Sequence, residues 1–155
     1  MFVVTLKTGI KRPKRTIILG VFALLLIVGI IYVITDSSKS TASCKGIGEY
    51  SLKFATDREK EEFLSAFNLN GEQVTIDKVK IPETFNATYE KYNTIQKKIG
   101  LDLDPYKGKT VKRFVYSTKD NLFVSVLVYG NRVVGGHKCT NVYGDDFKSL
   151  ADGIT

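Results

Sequence analysis

The chain holds one histidine, two cysteines and no tryptophan. With His137 alone, a zinc site built on paired histidines is excluded, and Cys44 and Cys139 complete no His/Cys cluster of metal-ligand spacing. Acidic residues are missing before Asp36, where five basic ones stand: Lys7, Lys11, Arg12, Lys14 and Arg15. From Asp36 onward 18 Lys/Arg face 16 Asp/Glu, so that part carries +2 of the chain's +7. Such a distribution is no nucleic-acid footprint, which needs a basic face on the folded part. Lys97, Lys98, Lys107, Lys109, Lys112 and Arg113 come nearest to one, and they read as a solvated helix end and loop. No internal repeat, low-complexity tract or second domain boundary is present.

Charge is missing altogether from Thr16 to Thr35, a run of twenty residues. At about 1.5 Å per residue, a helix of that length spans the roughly 30 Å hydrocarbon core. The run is apolar on every side and too long for a small domain to bury, so we expect a transmembrane helix over 16–35. A cleaved signal peptide has a shorter apolar region followed closely by a small-residue site. Here Ser40-Thr41-Ala42 lies well beyond the run, which favours an uncleaved anchor. The basic cluster before it keeps residues 1–15 in the cytoplasm and places the carboxyl side outside, by the positive-inside rule. The expected organisation is a basic stub (1–15), an anchor (16–35), a small polar tether (36–48) and an extracytoplasmic domain (49–155), located at the cell membrane. The bilayer is the first expected partner, and Lys11 to Arg15 also suit anionic lipid.

Within the domain, Tyr50, Leu52 and Phe54 alternate as one buried face of a strand. Thr56 and Glu59 form a capping box for a helix reaching about Phe67, stopped at Asn70-Gly71. Val74, Ile76, Val79 and Ile81 give a second strand whose alternation slips at Asp77-Lys78. Pro82 is placed to open the central helix, and Phe85, Tyr89, Tyr92, Ile95 and Ile99 form its apolar stripe. Gly100 supplies a left-handed stop, with Leu101 as the contact beyond it. Three segments follow, Thr110 to Ser117, Leu122 to Tyr129 and Arg132 to Cys139, rich in β-branched and aromatic residues and separated by hairpin-length breaks. They predict an antiparallel meander, with Phe147 and Leu150 on a final short helix covering one end. The expected class is α+β, an antiparallel sheet of about four to five strands packed with two main helices.

The run VKIPETFNATYEKYNTIQKKIGLDLDPYKGKTVKRFVY, followed by LVYGNRVVGGHKC, resembles the bacterial family called domain of unknown function 4830. It shares an IP-x-x-F-x-x-x-Y-x-x-YN-x-x-Q helix, a G-x-DL-x-x-Y-x-GK loop and an LVY…V-x-GG-x-x-C strand end. The similarity covers roughly Tyr50 to Ala151. It implies a membrane-anchored domain of unassigned function and carries over no catalytic residue. This chain departs from the family at His137, where an aspartate is usual, and at Asn68-Leu69, near a usual Gly-Trp pair. Its connection between the first two meander strands is also shorter.

Chemistry-bearing residues are few. Cys44 and Cys139 fall on the expected outer side, where one disulfide can persist; paired, they would contribute about 4 to 5 kcal/mol on the chain-entropy model. The alternative is two free thiols, and their separation decides. Cys44 fits a lipoprotein site poorly, lying far from the apolar run. A Cys139–His137 dyad has no orienting third group, so His137 reads as an exposed strand-end residue. Asp102, Asp104 and Gly108 echo a calcium loop without the residues that complete one, and Gly135-Gly136 lacks the lysine and helix of a phosphate loop; close packing explains the glycines better. Asn86-Ala87-Thr88 matches a glycosylation acceptor in form alone, and Asp145-Asp146 reads as a helix start. The loop Asp102, Asp104, Tyr106, Lys107 and Lys109 is the candidate binding surface, for another membrane or cell-envelope component. No cofactor, no metal and no nucleic acid is expected. A thiol or redox enzyme using Cys139 with Cys44, or a structural subunit of a membrane complex, are the alternatives.

Overall fold

The computed structural model of the chain describes residues 20, 21, 23–25, 40–141 and 146–154. The expected anchor, 16–35, lies outside the described residues apart from helical positions 20, 21 and 23–25. No helix among the described residues is long and apolar enough to cross a membrane.

Ser40–Thr155 forms one unit. In chain order it comprises β1 (Thr41–Cys44), β2 (Gly48–Ser51), α1 (Asp57–Ala66), β3 (Gly71–Lys80), α2 (Ala87–Lys98), a 3-10 turn (Asp104–Tyr106), β4 (Thr110–Thr118), β5 (Phe123–Tyr129) and β6 (Arg132–Cys139). Strands β3 to β6 form one antiparallel sheet in sequence order, and β1 and β2 pair as a separate ribbon. The fold is α+β with antiparallel sheets, as the patterning requires. Of the tether expected over 36–48, residues 36–39 lie outside the described residues, and Thr41–Cys44 pairs residue for residue with Gly48–Ser51. The segment reads as linker because its residues are small and mostly polar; Thr41 and Ser43 are exposed, while Ala42 packs against the core and Cys44 is buried.

Both faces of the sheet are covered, which explains why β5 reads as an almost unbroken apolar run. Along β4, Phe114 and Tyr116 join Val124 and Val126 in a core under α1 and the ribbon. There Phe63 of α1 and Phe67, just past its end, pack on Tyr50, and Phe54 meets Phe114 edge-on at 5.2 Å. On the other face Val111, Leu127 and Val134 pack with Ile81 and Leu103, beneath Phe85, Tyr89 and Tyr92. Gly135 and Gly136 permit this double covering: a Cβ on Gly135 would lie 3.2 Å from Gln96 Oε1, and one on Gly136 2.8 Å from Leu150 Cδ1.

Several boundaries move for identifiable reasons. The α1 capping box forms between Thr56 and Glu59 as expected. The helix ends at Ala66, within a residue of the expected Phe67, but the stop is Asn68 and not Asn70-Gly71: Asn68 takes φ +53° while the Leu69 N–H bonds Leu64 O, and asparagine tolerates that left-handed position. Pro82 does not open α2. Asn86 does, its Oδ1 accepting the Tyr89 N–H at 2.9 Å, because Ile81 is held extended by Lys109 O and by the Gly108 N–H. Gly100 ends α2 as expected, at φ +75°. The irregularity in β3 falls at Val74, three residues before Asp77-Lys78. Phe147 and Leu150 sit on no helix: Lys148 bridges to Lys138 and the chain turns, although Leu150 is still buried.

Candidate functional site

The loop Asp102–Lys109 is organised from within. Asp102 Oδ1 accepts from Asn93 Nδ2 at 2.8 Å and from the Asp104 N–H at 3.0 Å. Burial alone would raise the Asp102 pKa, but those two hydrogen bonds and nearby Lys97 hold its carboxyl below the usual range. Lys107 pairs with Asp104 at 2.5 Å, which raises the lysine's pKa, and its ammonium lies 4.3 Å from the Phe85 ring centre. Tyr106 packs against Tyr129, with ring centres 5.7 Å apart and planes inclined at 60°. Lys109 contributes its backbone, its carbonyl accepting the Ile81 N–H at 2.9 Å. The structure thus brings the five sequence-chosen residues together, with the two carboxylates and Lys107 engaged in holding the turn.

Two buried polar residues on α2 were missed by the apolar stripe. Asn93 ties the helix to the loop, its Oδ1 accepting the Leu103 N–H at 2.8 Å, and Gln96 Oε1 accepts the Gly136 N–H at 2.7 Å. Both occur in the YN-x-x-Q motif, and their sector of the helix lies beside Tyr92 and Ile99. Polar residues at that spacing inside an apolar sector were the available signal.

His137 is not exposed at a strand end. It is buried, 5% accessible, between Tyr92 and Phe147. Burial, helped by Arg113 and opposed by Asp146, pushes its pKa down to about 4. Burial likewise raises the Tyr92 pKa, so the phenol stays protonated, and its hydroxyl shares a hydrogen bond with His137 Nδ1 at 2.8 Å. Arg113 is bidentate to Asp77 across the β3–β4 pair.

The cysteines form no disulfide; both are free and buried. Each thiol has its own surroundings: Cys44 donates to Lys98 O at 3.4 Å beside the end of α2, and Cys139 to Asn141 O at 2.9 Å at the end of β6. The ribbon that carries Cys44 pairs within itself rather than with β6, so the thiols do not approach bonding distance. Burial raises both pKa values, with Asp146 adding to the effect at Cys139. Cys139 lies in the wall of a cleft of about 310 Å³ whose charges, Lys138 and Lys148 against Asp146 and Asp152, balance. Lys138 is engaged with Leu150 O and Asp152 O, and Asp146 with Thr140. Asp146 therefore fastens a turn rather than starting a helix. No three His, Cys, Asp or Glu side chains among the described residues come together to hold a metal.

The two edges of the sheet differ sharply. Along β6 the N–H groups of Val133, Gly136 and Lys138 bond Leu52 O at 2.9 Å, Gln96 Oε1 at 2.7 Å and Lys148 O at 3.0 Å. Along β3, among the described residues, Gly71–Lys80 makes no backbone hydrogen bond beyond its ladder with β4. Val74 and Ile76 are 52% and 51% exposed there, and of the aliphatic residues of β3 only Val79 packs against the covered part of the sheet. Lys78 stands directly opposite Lys112, and neither ammonium forms an ion pair among the described residues. Like charges so placed destabilise a sheet. Sequence reasoning gave this strand no place in the sheet; its lysines were the available sign of an edge.

The described residues define a small α+β domain whose antiparallel meander is sealed along one edge and bare along the other. Residues 63–137, from α1 into β6, match the family described as Domain of unknown function (DUF4830). Those residues carry the likeness to that family to which the helix, loop and strand-end motifs pointed. Comparison with curated proteins gave no match, and comparison with solved structures gave none either.

Proposed function

We propose that this protein is a single-pass, membrane-anchored interaction module that presents its α+β domain outside the cytoplasm and captures an extended segment of a cell-envelope partner along β3. One observation carries the capture: β6 has its outward N–H groups engaged, whereas β3 offers a ten-residue edge with exposed Val74 and Ile76. Strand addition to such an edge takes its affinity from main-chain hydrogen bonds and its specificity from alternate side chains. The anchor is supported by the uncharged run 16–35 behind five basic residues. The loop Asp102–Lys109 adjoins the end of β3 through the Ile81–Lys109 hydrogen bond on its β4 side, while Tyr106 packs against Tyr129 of β5.

The test uses the full chain in intact cells with a photo-crosslinking residue at Thr75 or at Glu61 on α1. Discrete adducts from Thr75 and none from Glu61, together with cleavage of the domain by external protease, are the expected result. Equal labelling from both positions would remove β3 as the contact, and protection from external protease would reverse the topology.

A further inference from the structure

We propose that the segment β3 captures is an acidic peptide strand, with carboxylates on one face and aliphatic or neutral side chains on the other; this rests on β3 being the capture edge. The sheet register sets the pattern. Ile76 lies opposite Phe114 and Lys78 opposite Lys112, so Ile76, Lys78 and Lys80 share the face of Phe114. Thr75, Asp77 and Val79 occupy the other face, where Asp77 is already neutralised by Arg113. The irregularity at Val74 leaves Thr75–Lys80 as the regular stretch. An added strand therefore meets an aliphatic side chain at Ile76, then ammonium groups two and four residues along. Lys112 reinforces the nearer one from β4, and Glu83 partly answers the farther one through Lys80.

A second copy of β3 is a poor occupant. On the Ile76 face its regular stretch carries Ile76, Lys78 and Lys80 and no carboxylate, so twin strands would set lysine against lysine or lysine against isoleucine. Added antiparallel, the complementary strand reads acid, neutral, acid, neutral, aliphatic from its amino end. The unopposed Lys78–Lys112 pair, unfavourable in the free domain, becomes favourable once a carboxylate lies beside it.

The experiment uses the full chain in a zwitterionic detergent. The probes are an end-capped peptide containing Glu-Val-Glu-Thr-Ile, its Lys-Val-Lys-Thr-Ile counterpart, and the acidic peptide N-methylated at alternate residues. Binding is read by affinity and by hydrogen exchange of the Thr75–Lys80 amides. The acidic peptide is expected to protect those amides, to bind at least about tenfold more tightly than the basic one, and to lose that preference in K78E and in K112E. N-methylation is expected to abolish protection. If the basic peptide protects equally well, the acidic specificity is overturned while edge capture stands. If neither peptide protects β3, edge capture itself fails. If inorganic polyphosphate binds as tightly as the acidic peptide and N-methylation costs nothing, the lysines read charge alone and strand addition is overturned.

Discussion

His137 is neutral inside the fold because Tyr92, Phe147 and the sheet replace water around it, and that sets a sign for its titration. Its folded pKa, about 4, lies below the ordinary histidine value of about 6.5. Above pH 6.5 it takes up no proton in either state and costs nothing. As the pH falls from 6.5 toward 4 the unfolded chain gains the proton first, and about 3 kcal/mol of stability is lost across that window. Urea denaturation at pH 7 and pH 4.5 should show that loss, and His137→Leu should flatten this part of the profile while being less stable at pH 7. Gly100→Ala should cost about 2 kcal/mol or more in the same assay, because φ is +75° and the new Cβ would lie 2.5 Å from Ser43 O. Gly100 was legible in the sequence from its place after an amphipathic run. The burial of His137 was not, since it depends on a distant segment folding back to set Phe147 against the ring.

At the scale of elements, most pieces could be read because their signals are local. The Thr56–Glu59 capping box, the three meander strands and the Gly100 stop each lie within a few residues of what they specify. Local signals also competed, and the contest at α2 was decided by tertiary contacts: Pro82 had the right chemistry for a first helical residue, but the hydrogen bonds of Ile81 with the Gly108 loop left Asn86 as the cap. Asn86→Ala should therefore lower stability by about 1 kcal/mol. Asn93→Ala should cost more, about 1 to 3 kcal/mol, since it strands the Leu103 N–H. Faster hydrogen exchange at Leu103 would mark the second effect as loss of the α2–loop tie. The edge status of β3 was legible only as a hint in Lys78 and Lys80, because pairing on one side is a property of the sheet and not of the strand. Lys78→Glu should raise the denaturation midpoint of the free domain slightly, by a few tenths of a kcal/mol, by relieving the opposition to Lys112.

Across the whole molecule, stability rests on apolar layers against both faces of the sheet and not on a covalent tie. A reductant should therefore leave the thermal midpoint unchanged, and alkylation of Cys44 and Cys139 should be slow until the chain unfolds, as mass spectrometry under native and denaturing conditions would show. Two lone cysteines in a domain expected outside the cytoplasm invited a bridge on counting alone; the self-pairing of the ribbon, which no count reveals, keeps them apart. The unequal edges have a consequence for stoichiometry. Because β6 is already occupied by Leu52, Gln96 and Lys148, a strand that joins β3 finds no second open border on which the same domain could pass the sheet onward. On the proposed capture each domain would have a valency of one, and binding would end in a discrete complex in place of a growing fibre.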